Sequence, residues 1–505
     1  MGKVGMDMYP SLKQIKNFTE GGSWKRIPVY REVLADRYTP VEVVRILRAA
    51  SCHCFLLESA EDSRSRGRYS FLGYNPALEI TCTGGVLTFR MSVTDGDGEP
   101  ACRTVHTEHP ADEIRRVLSA YKSPQIEDMP PFTGGLVGYF SYEYFCYAEP
   151  GLRAEVKAGE DFRDVDLMLF DKVIVFDHLR QTLMLITGVD PADPENSYRL
   201  AEAETSEMLR LLRSGARADF RPLRLRSPLE PRFTREQYAA MVDRAKSYIR
   251  EGDIFQVVLS NPMTAEAGGS LFDVFRILRA TNPSPYMFYF VSDDMEIAGA
   301  SPETLVKLDR GVLHTFPLAG TRPRGATPIE DEAIEKELLQ DEKELSEHTM
   351  LVDLGRNDLG KISRLGSVAV EKSFCVERFS HVMHIASTVV GRIRDDRDAL
   401  DAIDAVLPAG TLSGAPKLRA CEIIRELEGA ARGIYGGAVG YIDFSGNLDA
   451  CIAIRLAYKR NGRICVQAGA GIVADSAPDK EYEECRNKAR AVTDAITRAE
   501  GGLPE

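Results

Sequence analysis

One short string occurs in both halves of this chain and ties them together: Gly134-Gly135-Leu136-Val137-Gly138-Tyr139 returns as Gly436-Gly437-Ala438-Val439-Gly440-Tyr441. Read as the trace of a duplication, it makes two topologically related strands meet near the middle of the fold. Chance likeness between glycine-rich strands accounts for so short a match equally well, and both accounts stand at this point. The flanking pattern is strand-rich. Leu78–Thr83 and Val86–Met91 around Gly84-Gly85 predict a β-hairpin, as do Lys172–Phe176 and Thr182–Thr187 around a polar turn. Thr39 as N-cap, Pro40 in the first turn and Glu42 closing a capping box predict one helix, and a second follows near Tyr198–Leu212.

Ser214–Arg232, rich in Arg and Pro and weakly periodic, reads as a linker, which divides the chain into 1–225 and 226–505. With 505 residues, 44% of them hydrophobic, there is enough for one large core or two fused ones. Single cores stop growing at roughly 250–300 residues. Beyond the linker, helices and strands alternate. Thr234 and Gln237 form a capping box; Tyr238, Met241, Val242, Ala245, Tyr248 and Ile249 mark one apolar helix face, which Gly252 ends. Ile329–Asp353 predicts one long, very acidic helix and Pro478–Ala499 another.

Several classes of protein are disfavoured. No apolar run approaches the ~20 residues that span a bilayer, and the opening MGKVGMDMYP lacks the apolar stretch of a secretory signal. Ten cysteines without CxxC spacing fit neither a zinc site nor a disulfide framework, so a cytoplasmic protein with reduced thiols is expected. A net charge of −13 speaks against nucleic acid as a partner.

Chemistry-bearing residues cluster in the second half. Glu344 and Glu347 share a helix face, as do Glu481 and Glu484, with Lys488 one turn on. Hard divalent cations prefer such oxygens, and two glutamate pairs on separate helices could hold one Mg²⁺; a solvated acidic face is the commoner outcome of this spacing. Arg455, placed in an alternating strand over Ala450–Tyr458, could grip a carboxylate bidentately. Gly469-Ala470-Gly471 and Gly320-Thr321 would let backbone N–H groups approach a ligand. Singly, each of these is more often a sheet arginine or a turn. Of His381 and His384, the latter is more often a packed histidine than a catalytic one, although its pKa range suits proton transfer.

Taken together, these strings resemble the chorismate-utilising enzymes, a family that contains anthranilate, aminodeoxychorismate, isochorismate and salicylate synthases. The carriers are GDIFQVVLS (252–260), ASPETLV (300–306), PLAGTRPRG (317–325), SEHTMLVDLGRND (346–358), SHVMHI (380–385), PAGTLSGAPK (408–417), IYGGAVGY (434–441), QAGAGIV (467–473) and EYEECRNKA (481–489). In the first half, LLES (56–59) and GRYSFLG (67–73) are similar to the anthranilate synthase large subunits. The resemblance implies an α+β fold of two orthogonally packed antiparallel sheets flanked by helices; the residue pattern alone reaches only a mixed, strand-rich chain in two halves. It further implies a regulatory part over 1–225 and a chorismate-binding catalytic part over 226–505. Glu347 and Glu484 would bind Mg²⁺, with Glu344 and Glu481 acting through water. Gly320, Thr321, Tyr435, Arg455, Gly469, Ala470, Gly471 and Lys488 would hold chorismate. Glu303 would be the general acid, and His384 and Thr411 would lie near the ring.

Two positions bear on the branch. Isochorismate and salicylate synthases carry a water-activating lysine where this chain has Gln256, which is no general base. Many aminodeoxychorismate synthases carry a nucleophilic lysine where this chain has Ala319. Both point to direct attack by ammonia, giving anthranilate and pyruvate, the first committed step of tryptophan biosynthesis. Aminodeoxychorismate synthase, an enzyme that stops at the aminated intermediate, and a non-enzymatic tryptophan-sensing module are the alternatives. The chain has no GxCxG elbow, so the resemblance implies a separate glutamine amidotransferase partner. Ser59, Pro285, Tyr286 and Met287 match the feedback site for L-tryptophan, which needs a polar anchor and an apolar slot.

Overall fold

The computed structural model describes residues 7–19, 23–60, 67–94, 100–152, 162–378 and 382–503. Its architecture follows from strands buried on both faces. In the strand Val173–Asp177, Ile174 and Phe176 enter one core while Val173 and Val175 enter another, and Leu56 and Phe55 divide in the same way. Such strands read as unbroken apolar runs and must lie between two layers. Among the described residues two sheets result, of 14 and 12 strands, built from antiparallel ladders. They pack face to face: Phe55, Phe288, Ile297 and Leu456 of the first meet Val137, Tyr139, Val439 and Cys451 of the second in a shared core. Helical residues such as Val43, Tyr238, Phe275 and Val492 cover the outer face of the first sheet, and Ile114, Val352 and Ile403 that of the second. The α+β expectation of two antiparallel sheets with helices outside holds. Among the described residues no helix is long and apolar enough to cross a membrane.

The strands that position the site are β1 (Cys54–Glu58), β2 (Gly135–Phe140), β3 (Gln256–Gly268), β4 (Tyr286–Val291), β5 (Met295–Ser301), β6 (Thr304–Asp309), β7 (Leu318–Pro323), β8 (Val382–Arg392), β9 (Ala438–Asp443), β10 (Leu448–Ile452), β11 (Leu456–Arg460) and β12 (Arg463–Ile472). The helices are α1 (Arg235–Glu251), α2 (Glu342–Gly360), α3 (Lys417–Glu428) and α4 (Pro478–Ala499). The first sheet runs β1-β4-β5-β11-β12-β3, and the second has β6-β10-β9-β2 at its centre.

The repeated string has a physical reason. β2 and β9 pair directly, with Gly138 opposite Gly440. A Cβ on Gly138 would lie 2.0 Å from the Asp166 carbonyl oxygen, and one on Gly440 2.1 Å from that of Asp449. At this facing pair neither glycine has room for a side chain, because the strand on its other side closes the space.

Both predicted hairpins form, and α4 has the predicted bounds. The α1 capping box is complete, and Gly252 ends that helix at φ 85°. At the earlier helix Thr39 accepts from the Glu42 N–H at 3.2 Å, while the Glu42 carboxylate pairs with Arg217 instead of closing the box. The linker contributes two short strands, Arg224–Leu225 and Glu230–Pro231, which pair with β3. The long acidic helix is two helices, Pro328–Leu338 and α2. Asp341 starts α2 afresh by accepting from the N–H groups of Lys343 (3.1 Å) and Glu344 (3.3 Å). Arg455 is not within a strand: β10 belongs to the second sheet and β11 to the first, and Arg455 stands between them at φ 51°.

Candidate active site

Two helices supply the acids. In α4 the residues Tyr482, Cys485, Ala489, Val492 and Ile496 are buried, which turns Glu481, Glu484 and Lys488 toward a cavity of about 1090 Å³. In α2, burial of His348 and Val352 leaves Glu344 and Glu347 facing the same cavity. The two pairs therefore oppose each other. Burial, then the charges of Glu344 and Glu484, hold the Glu347 carboxyl above the usual range; burial and Glu484 do the same at Glu481. Lys488 Nζ lies 2.7 Å from Glu484 Oε1.

Where the chain passes from one sheet to the other, the remaining charges appear. Pro302-Glu303 joins β5 to β6, and Ala453–Arg455 joins β10 to β11. The crossings are laced side by side. The Ile452 N–H donates to the Glu303 carbonyl (3.0 Å), the Ala300 N–H to the Arg455 carbonyl (3.1 Å), and the Ser301 hydroxyl to the Ile452 carbonyl (2.7 Å). This lacing holds Arg455 in its left-handed conformation, which costs a non-glycine residue on the order of 1–3 kcal/mol. Solvent in the cavity reaches the Arg455 side chain, yet protein surrounds it closely enough to lower its pKa, against the pull of Glu303. Burial pushes Glu303 up to about 7, although Thr411 Oγ1 donates to its Oε1 at 3.0 Å and Arg455 and Lys488 oppose the shift. A carboxyl so placed can give up or take a proton near neutrality.

The rest of the cavity wall is backbone and small side chains. Gly320 sits at φ 63° in a bulge where β7 pairs with β8. His384 Nδ1 lies 3.1 Å from both the Gly320 carbonyl oxygen and Thr321 Oγ1. A carbonyl only accepts, so in the neutral ring Nδ1 carries the proton; burial lowers the pKa and favours that neutral form. Gly469 and Gly471 line the cavity from β12. A Cβ would lie 2.9 Å from Tyr435 Oη at the first and 2.8 Å from Gln256 Nε2 at the second. Tyr435, Thr321, Thr411, Gln256 and Ala319 line it too, whereas Ala470 is fully buried, with its side chain in the core and its backbone bonded to Tyr238, and does not reach the cavity. His381 lies outside the described residues. The sequence reading missed Gln467 and Lys343, which also line the cavity; Gln467 opens the QAGAGIV string, the one signal that pointed at it.

A profile of the chorismate binding enzymes matches residues 52–494. The chain is 42% identical to anthranilate synthase component 1 of Acetivibrio thermocellus, over 97% of this chain and 99% of that one. It is 43% identical to anthranilate synthase component 1 of Acinetobacter calcoaceticus, over 98% and 99%. The chain belongs to the chorismate binding enzyme family, in its anthranilate synthase component 1 branch. Among solved structures, this chorismate binding enzyme is similar to anthranilate synthase component I from Streptococcus pneumoniae TIGR4, with a TM-score of 0.73 and 38% identity over 86% of this chain and 93% of that one.

This family member has a second pocket, of about 90 Å³, between its two sheets. Ser59, Pro285, Tyr286 and Met287 all line it, together with Phe71 and Tyr441. Tyr286 Oη lies 2.9 Å from Thr304 Oγ1 and 2.8 Å from Asp449 Oδ1. Thr304 is the residue after Glu303, so one hydrogen bond and one peptide link connect the pocket's Tyr286 to the site acid.

Proposed function

We propose that this chain converts chorismate and ammonia to anthranilate, pyruvate and water, as the large subunit of an anthranilate synthase. The observation that carries the reading is Glu303, a carboxyl poised near neutrality beside Thr411 in a cavity that also presents Arg455 and the glutamates Glu344, Glu347, Glu481 and Glu484.

The acids suit a dication. Glu347 and Glu484 would hold Mg²⁺, with Glu344 and Glu481 behind them through water, because burial, and after it the charge of acid neighbours, already pushes Glu347 and Glu481 toward protonation. Bound there, Mg²⁺ would neutralise the ring carboxylate of a dianionic substrate within an acidic protein. Arg455, with the backbone at Gly469 and Gly471, would take the enolpyruvyl carboxylate. Gly320, Thr321, Tyr435 and Lys488 would fix the ring.

Ammonia then adds to the carbon ortho to the ring carboxylate, and the ring hydroxyl leaves as water with a proton from Glu303, held toward it by Thr411. The added ammonium gives up one proton, which restores Glu303; the C–O bond to the enolpyruvyl group then breaks as the aminated carbon loses its proton, the ring becomes aromatic, and the departing enolate takes up a proton to become pyruvate. His384, neutral and Nδ1-protonated, faces the same space and assists this later step. Gln256 and Ala319 offer neither a base for water nor a nucleophile, which leaves ammonia as the attacking group. A separate glutamine amidotransferase would supply it, and L-tryptophan would inhibit from the pocket of Ser59, Pro285, Tyr286 and Met287.

The test is incubation of the purified chain with chorismate, Mg²⁺ and ammonium. Fluorescent anthranilate with equimolar pyruvate is expected. An aminated chorismate without pyruvate, or no turnover at all, would overturn the reading.

A further inference from the structure

Behind the cavity lies a buried ion pair that no step of the reaction uses. The Arg432 and Glu428 side chains are 1% and 5% exposed. Arg432 grips Glu428 through Nε (2.9 Å) and Nη2 (2.6 Å), and it spends further N–H groups on two carbonyls, Leu412 (2.6 Å from Nη1) and Val258 (2.7 Å from Nη2). Its guanidinium also lies over the rings of Tyr142 (4.7 Å) and Tyr435 (5.7 Å). Glu428 in turn accepts from the Ser260 N–H (2.8 Å) and hydroxyl (2.9 Å), and Gln467 Nε2 donates to that hydroxyl oxygen at 2.8 Å.

The partners of this pair are the walls of the cavity. Leu412 follows Thr411, Val258 belongs to β3, and Tyr435 and Gln467 face the substrate space. A pair needed only for stability could be satisfied by Glu428 alone. This guanidinium instead ties three separate segments at fixed distances, which a planar five-donor fork can do and an ammonium cannot.

We propose that Arg432 is a positioning residue: through the Leu412 carbonyl it sets the segment that carries Thr411, and so aims Thr411 at Glu303. This rests on the reading of Glu303 as the site acid. The charged groups facing Glu303 are Arg455, from the sheet crossing, and Lys488, from α4. The hydrogen bond from Thr411 favours the ionised carboxyl. Loosening that bond therefore raises the Glu303 pKa, and activity that needs the protonated acid persists to higher pH.

The experiment compares Arg432→Lys, which keeps the charge pair but not the fork, with the charge-neutral double variant Arg432→Met/Glu428→Gln. Both are measured in the full chain for melting temperature, kcat, chorismate KM and the kcat–pH profile at constant free ammonia. Thr411→Ala, a change at the cavity wall, serves as the reference. The expected result is a folded Arg432→Lys enzyme with kcat down on the order of 10²-fold, a KM changed far less, and an alkaline limb moved upward as in Thr411→Ala. Combining Arg432→Lys with Thr411→Ala should move that limb no further. A folded variant with parental kcat and limb, or a second shift on top of Thr411→Ala, overturns the proposal. If the parent enzyme makes no anthranilate, the functional reading itself has failed; if the parent does and the Arg432 variants match it, only the positioning role has.

Discussion

Two pockets of this protein are tied to the same peptide segment, yet they are built from different parts of the fold. The larger cavity, of about 1090 Å³, is walled by helix-borne acids and by residues at sheet crossings. The smaller pocket, of about 90 Å³, is lined mainly by strand residues between the sheets, with Glu58, Lys307 and Asp449 among its apolar walls. Charge chemistry needs a place where side chains of both signs converge, and helix faces and sheet crossings provide it. Shape recognition of an apolar ligand needs rigid walls, and paired strands provide those. Ser301–Thr304 serves both, with Glu303 turned to one side and Thr304 bonded to Tyr286 on the other.

That contrast can be broken at several points. Glu303→Gln should cut kcat by about 10²–10⁴-fold, as loss of a general acid does, with chorismate still bound; isothermal titration beside turnover checks this, and a loss under tenfold removes the acid role. Glu347→Gln and Glu484→Gln should raise the Mg²⁺ needed for half-maximal turnover about 10–100-fold, and Glu344→Gln less. Titration of metal-stripped enzyme reads this, and equal effects at all three would erase the distinction between direct and water-mediated carboxylates. Tyr286→Phe deletes the hydroxyl that reaches Asp449 and Thr304, so the tryptophan concentration for half inhibition should rise about tenfold; unchanged inhibition would put the effector elsewhere. The smallest effect is on pH. Because Glu303 acts protonated and titrates near 7, turnover at constant free ammonia should decline as pH climbs through about 7. A level profile across that range would disconnect this carboxyl from the rate.

Helix-borne parts of the site were legible because caps and spacing are local. Pro478–Ala499 and its glutamates follow from a run of residues that speak for themselves. Arg455 was misread because Ile454 and Leu456 keep the apolar rhythm going straight through the crossing; only the positive φ and the change of sheet reveal it. The start of α2 was hidden by composition: Asp341 ahead of Glu344 is a cap signal, but it sits in a run of acids that looked continuous. Arg432 had one local mark, Glu428 four residues before it, but that spacing is commonplace, and its partners Leu412 and Val258 are assembled by the fold.

Because β2 lies between a strand ending at Phe170 and β9, which ends at Asp443, the growing polypeptide must carry one bare edge of its central sheet for most of its synthesis. At about 5–20 residues per second, the missing neighbour leaves the ribosome on the order of 15–60 s later. Unpaired apolar edges recruit other chains. Sequence-distant pairing thus sets the time for which this edge has to be kept from other chains while the enzyme is made.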